Sequence, residues 1–121
     1  MCGVVAVDRE GQPLRPCMFW LDKRAADISR RVMGGFPKVF GYGAWSLLSS
    51  IRLTNGAPSL NGMDPPAKML WLKENEPTVY DRMTCFLDVN GYLTYRATGE
   101  MAFEWSGASA FCFDIGKKDW M

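Results

Sequence analysis

Strand-like apolar runs alternate along this chain with segments that carry their own helix start and stop signals. That alternation restricts the chain to the α/β class. The opening stretch "CGVVAVDREGQPLRPCMFWLD" reads as two strands around a turn: Val4, Val5 and Val7 favour extended backbone, and "DREGQP" supplies the turn residues. "DKRAADISRRVMGG" follows as a helix, with Asp22 as N-cap, Ala25, Ile28 and Val32 at helical spacing, Arg30 and Arg31 in the last turn, and Gly34-Gly35 as the stop. "AWSLLSSIRLTNG" reads as a short helix ended by Asn55-Gly56, and "GAPSLNGMDPP" as an irregular loop. In "DPPAKMLWLKENEP" Asp64 caps a helix that begins at Pro65-Pro66 and puts Ala67, Leu70 and Trp71 on one face. "PTVYDRM" continues as a second short helix with Val79, Tyr80 and Met83 inward, and "TCFLDV" is a strand.

"NGYLTYRATGE" supports two readings. Asn90-Gly91 between apolar runs is a hairpin signal, yet Asn90 can also cap a helix that stops at Gly99. Local chemistry favours the hairpin. The chain closes on "SGASAFCFDIGKKDWM", a small-residue turn, a strand and a basic turn.

At 121 residues, 48% hydrophobic and 22% charged, this is the profile of one globular unit with enough chain to bury a core. The net charge of +1 and the dispersed basic residues provide no nucleic-acid footprint. No apolar run is long enough to span a bilayer and no leader pattern opens the chain, so a cytoplasmic protein with neither membrane nor nucleic-acid partner is expected. Cys2, Cys17, Cys85 and Cys112 are too scattered for a zinc motif, and all but Cys2 lie in apolar runs, as buried small hydrophobes do. The absence of histidine removes Ser-His and Cys-His nucleophiles, so acid–base chemistry within this sequence has to use a carboxylate.

"RPCMFWLDKRAADI" ends an apolar strand on Trp20 and then presents Asp22 and Arg24 at alternate positions. Such a junction serves either as a strand end with a helix cap or as the rim of a ligand cleft, since open α/β sheets bind ligands at the carboxyl ends of their strands. Trp45, Trp71 and Trp105 read as core residues.

Four pieces in order, "PLRPCMFWLDKRA", "PPAKMLWLKENEP", "FLDVNGYLTYRATGE" and "SGASAFCFD" followed by "KKDW", resemble the FGGY-type carbohydrate kinases, most of all their xylulokinase-like members. The resemblance implies a partial ribonuclease-H-like, actin-like sugar-kinase domain, with 1–121 an internal segment of the first, sugar-binding domain. It places the Asp-x-Gly-Thr phosphate loop upstream of the matched region and the catalytic aspartate, the general base, downstream. ATP and magnesium then belong to the intact relatives, and this segment alone is expected to bind neither and to be inactive. Gly34-Gly35 and Gly41-Tyr42-Gly43 fit no phosphate loop.

The same resemblance implies the substrate-facing residues. Trp20 matches a tryptophan that packs on the polyol in glycerol kinases, and an indole suits the C–H face of a sugar. Met1-Cys2 match a dipeptide lining the sugar pocket, although Cys2 replaces the histidine or acid usual there. Asp22 is a further substrate candidate alongside its N-cap reading, and Met63 or Asp64 falls near another contact position. Gly107 stands where many relatives carry Asp or Asn. A helix, not a hairpin, is implied for "NGYLTYRATGE".

The expected partners are a sugar or polyol and either the remainder of the kinase chain or a second copy. An internal segment should expose an apolar patch or an open strand edge, "CGVVAVD" being the expected edge. The contrasting expectation is a stand-alone, non-catalytic sugar-binding or interaction module.

Overall fold

The computed structural model describes residues 3–102 together with 113, 114, 117, 119 and 120. Strand β1 (Val5–Val7) is buried along its whole length. It pairs antiparallel with β4 (Cys85–Leu87) in the register Val5↔Leu87, Ala6↔Phe86 and Val7↔Cys85. On its other side Val4 exchanges two backbone hydrogen bonds of 3.0 Å with Met18, and Leu14 N–H donates to Ala6 at 2.9 Å. The expected open edge at "CGVVAVD" is therefore paired on both sides, and among the described residues the outer positions fall to 13–18 and 85–87. The second expected strand survives only as bridges at Pro13 and Met18, because Pro13 and Pro16 have no N–H to donate to a ladder.

Alternation along β1 supplies two cores. Val4 and Ala6 meet Met18 and Leu72, with Met69, Trp71, Val79, Tyr80, Met83 and Phe86 packed around them. These residues come largely from α3 (Pro65–Asn75) and α4 (Pro77–Arg82), so Val79, Tyr80 and Met83 face inward as read from sequence. Val5 and Val7 meet Leu87, Tyr92 and Tyr95 on the opposite face, beneath α5 (Val89–Thr98). Helices thus cover both faces of a short sheet, which is why β1 reads as a continuous apolar run.

The segment "NGYLTYRATGE" is helical. Asp88, not Asn90, is its N-cap: Oδ1 accepts the Gly91 N–H at 2.7 Å, and Gly99 ends the helix at φ 79°. A Cβ on Gly91 would lie 2.6 Å from the Ala102 carbonyl oxygen. That glycine allows a close backbone approach and makes no hairpin turn. Replacing Asp88 with Ala is expected to cost about 1 kcal/mol, measured as a lower urea midpoint, with Asp88→Asn losing less.

Helix α1 (Ala26–Val32) starts four residues beyond Asp22, with Ala25 at its N-cap. The N-cap reading of Asp22 is corrected, because its carboxylate is committed to Arg24 within its own turn. Ala25 and Ile28 are buried, whereas Val32 is exposed and Met33 takes the inward position. Residues 38–43 form a small hairpin of β2 (Lys38–Val39) and β3 (Tyr42–Gly43), leading into α2 (Ala44–Thr54). A Cβ on Gly43 would overlap the Gly34 carbonyl, and Gly43 N–H donates to Met33 at 2.8 Å. These glycines serve backbone packing. Helix α2 ends at Asn55 in the left-handed region. Near the end of the chain, β5 (Phe113–Asp114) pairs antiparallel with β6 (Asp119–Trp120).

Several core expectations change. Trp45 is 73% exposed, and Leu70 on α3 is exposed while Lys68 and Leu72 are fully buried. Trp71 is half-buried against the core, and Trp105 lies outside the described residues. Cys17 is exposed and Cys85 half-buried, both as free thiols, so neither is the fully buried hydrophobe expected; Cys2 and Cys112 lie outside the described residues. No helix among the described residues is long and apolar enough to cross a membrane.

Candidate functional site

The chain leaves the sheet at Met18 and reverses direction at once. Asp22 N–H donates to the Phe19 carbonyl at 3.0 Å, closing a turn with Trp20 and Leu21 at its two central positions. Both side chains are exposed, Trp20 at 40%, and the Phe19 ring meets the Trp20 indole edge-on at 6.3 Å between centroids. Past the turn, Asp22 accepts the Arg24 N–H at 3.1 Å and binds its guanidinium through both carboxylate oxygens, at 3.0 Å from Nε and 2.6 Å from Nη2.

Helix α3 receives this turn. The buried Lys68 reaches back 49 residues, and its Nζ donates to the Phe19 carbonyl at 2.6 Å. The Arg24 guanidinium lies 4.7 Å from the Trp71 ring centroid, and that of Arg15 lies 5.8 Å from it. Arg15 also pairs with Glu76 at 3.4 Å. Two guanidiniums, each paired with a carboxylate, therefore face one indole, and the Lys68 ammonium ties down the start of the same turn.

The hydrogen bonds from Arg24 hold the Asp22 carboxyl below the ordinary carboxylate range. Burial opposes this shift, and the charges of Arg24 and Lys68 add to it. Asp22 in turn raises the Arg24 guanidinium. An ionised carboxylate already bound by a guanidinium can accept from a hydroxyl but is too weakly basic for proton abstraction near neutral pH. Because the folded Asp22 value is depressed, its ion pair stabilises the fold above the unfolded value of about 3.9, and that stabilisation is lost as pH falls through the lower folded value. The stability gap between wild type and Asp22→Asn should accordingly be constant at neutral pH and close only in acid, read from urea midpoints across a pH series.

Of the residues expected to face substrate, Trp20 and Asp22 lie in this one turn. Met1 and Cys2 lie outside the described residues, as does Gly107. Gly3, the next residue along, packs closely: its Cβ would sit 3.0 Å from Val89 and 3.1 Å from the Cys17 sulfur. Burial pushes the Cys17 thiol up, with Lys68 and Arg15 pulling the other way. Asp64 accepts the Ser59 N–H and lines a different feature, an apolar cavity of about 430 Å³ between α1, α2 and α3 that neither Trp20 nor Asp22 reaches. Sequence reasoning placed Trp71 in the core, on one helix face with Ala67 and Leu70, and assigned neither it nor Lys68 to the site. Their signal was a lysine in the apolar run "AKMLWL" with a tryptophan three residues on, one turn along the same face.

The family model of the FGGY family of carbohydrate kinases, N-terminal domain, matches residues 1–121. The chain belongs to this family. Its relatives include the xylulose kinases of Staphylococcus xylosus, 30% identical over 125 residues, and Escherichia coli K12, 28% identical over 121 residues. Each alignment takes in 99% of this chain and 23% or 22% of the relative, so the chain spans under a quarter of their length. Among solved structures, xylulose kinase from Bifidobacterium adolescentis superposes with a TM-score of 0.78 at 19% identity, covering 99% of this chain and 28% of that one. Ligand-bound xylulose kinase from Lactobacillus acidophilus superposes at 0.80 and 19% identity, over 98% of this chain and 22% of that one. The fold is accordingly that of the actin-like sugar kinases.

Proposed function

We propose that the chain is part of the sugar-binding domain of an ATP-dependent kinase that phosphorylates a hydroxyl of a ketose or polyol of the xylulose type. The observation that carries this reading is the match of the FGGY N-terminal family model along the whole chain. Trp20 then forms a wall against the C–H face of the sugar, and Asp22 accepts from a hydroxyl at its rim. Met1 and Cys2 complete the sugar-facing set.

The donor set around the turn suits a neutral polyol. Its carboxylate would repel a triphosphate, and the cations beside it are already engaged, Arg24 by Asp22 and the buried ammonium of Lys68 by a backbone carbonyl. ATP and magnesium are assigned to a phosphate loop and a catalytic aspartate outside these residues, and phosphoryl transfer depends on having both parts in place. Phe36 and Phe40 near the β2–β3 hairpin are more than 90% exposed, and Trp45, Leu48 and Ile51 form an exposed apolar stripe along α2. That surface fits cover by the remaining kinase chain, with self-association as the other way to bury it.

Reading the coding DNA on both sides of this segment tests the proposal. An in-frame Asp-x-Gly-Thr upstream and a catalytic aspartate downstream are expected. Stop codons immediately outside both ends, in an intact genome, would overturn the reading in favour of a stand-alone module. In parallel, the 121-residue chain should release no ADP from ATP with D-xylulose or xylitol. Release that scales with its concentration would contradict the assignment of the catalytic parts to other residues.

A further inference from the structure

The geometry points to Lys68 and Trp71 as positioning residues that hold the Trp20 turn in its substrate-facing conformation, an inference that rests on the sugar-wall reading of Trp20. The Phe19 carbonyl accepts twice, from Asp22 N–H at 3.0 Å and from Lys68 Nζ at 2.6 Å. The first bond closes the turn, and the second, a charge-assisted one, ties its starting residue to α3. At the far end, Asp22 grips the Arg24 guanidinium, which stacks 4.7 Å from the Trp71 ring centroid. Lys68 and Trp71 are three residues apart on one helix face, so a single rigid element holds both ends of the turn.

Between those two anchors, Trp20 and Leu21 are exposed. A two-residue tip of this kind would otherwise sample several conformations. A wall for a sugar must be fixed before the sugar arrives, or binding has to supply the cost of ordering it. The residue choice at position 68 supports this role over simple packing. Lys68 is fully buried beside a core of Val4, Ala6, Met18 and Leu72, and an ammonium is far more costly to bury there than an apolar side chain. Its bond to the Phe19 carbonyl offsets part of that cost, where a leucine or methionine would leave the turn untied.

Labelling the chain with 5-fluorotryptophan, and assigning the Trp20 resonance with Trp20→Phe, provides a local reporter; amide exchange at Asp22 provides a second. Lys68→Met keeps the volume and removes the donor. Trp71→Leu leaves Lys68 intact and removes the stacking partner of Arg24. Val79→Ala weakens the same core without touching the turn. In both turn variants the Trp20 line should shift or broaden, and Asp22 exchange should rise about tenfold or more through local opening, while the Val5–Val7 amides keep wild-type protection. Val79→Ala should leave the Trp20 line unchanged. The inference is overturned if Asp22 exchange and the Trp20 line stay at wild type in Lys68→Met and Trp71→Leu, or if Val79→Ala moves them equally. Should Lys68→Met fail to fold, Trp71→Leu decides by the same criterion. Adding D-xylulose separates the two claims: a wild-type Trp20 line indifferent to the sugar rejects the sugar wall, whereas the tether is judged by the sugar-free spectra.

Discussion

Replacing Gly62 with alanine is expected to cost about 2–5 kcal/mol, combining the strain of a left-handed non-glycine residue with overpacking. Gly62 sits at φ 70°, and a Cβ there would overlap the Ala25 carbonyl carbon and the Ala26 nitrogen, with the Ala25 oxygen at 2.7 Å. All three are backbone atoms at the start of α1, so no side-chain rotation can relieve the clash. The contact pins the loop ahead of α3 against α1, and through α3 it bears on the placement of the Trp20 turn. Gly56 is the control, because a Cβ there meets nothing within 4 Å. Gly56→Ala should change stability by less than about 0.5 kcal/mol. Urea unfolding followed by far-UV circular dichroism compares the two. Equal midpoints for both variants would contradict the packing of the loop on α1.

Leu72→Ala is the second large effect, expected at about 2–5 kcal/mol for a buried leucine whose site cannot fully collapse. Leu72 is fully buried where α3 meets Val4, Ala6 and Met18. Leu72→Met conserves volume and should cost less than about 1.5 kcal/mol. The pair distinguishes loss of packing from loss of helix propensity, since alanine is the better helix former. A wild-type midpoint for Leu72→Ala would mean that α3 is not seated on the sheet as described.

Elements that carry their own punctuation were legible in the sequence. Pro65-Pro66 at the start of α3, Asn55 after α2 and Gly99 after α5 mark ends that local backbone chemistry dictates, whereas Asp64 stands at the N-cap position of α3 with its carboxylate accepting from Ser59 and not capping the helix. Where a residue answers to a distant partner, the local signal misled. Asn90-Gly91 looks like a hairpin, but the glycine is required by the Ala102 carbonyl and the capping falls to Asp88; local chemistry offers the helix only as the weaker reading, and the family resemblance is what favours it. Asp22 looks like an N-cap until Arg24 claims its carboxylate. "PLRPCM" has strand character, yet its two prolines allow only isolated bridges to β1. That pairing, together with β4, closes the strand edge expected to be open.

The site divides the same way. Trp20 and Asp22 are neighbours in sequence and proved to share one turn. Their support from Lys68 and Trp71 spans some fifty residues, and no spacing rule within a helix reveals what lies across from it.

The central claim is that Trp20 forms part of a sugar-binding surface, and a D-xylulose and xylitol titration of wild type and Trp20→Ala by saturation-transfer NMR tests it most directly. Trp20 is 40% exposed at a turn tip, so its truncation should leave the far-UV spectrum intact. The account predicts saturable binding to wild type that weakens about tenfold or more without the indole, the loss expected for a stacking wall. Absence of binding to wild type, or equal affinity in Trp20→Ala, would contradict it.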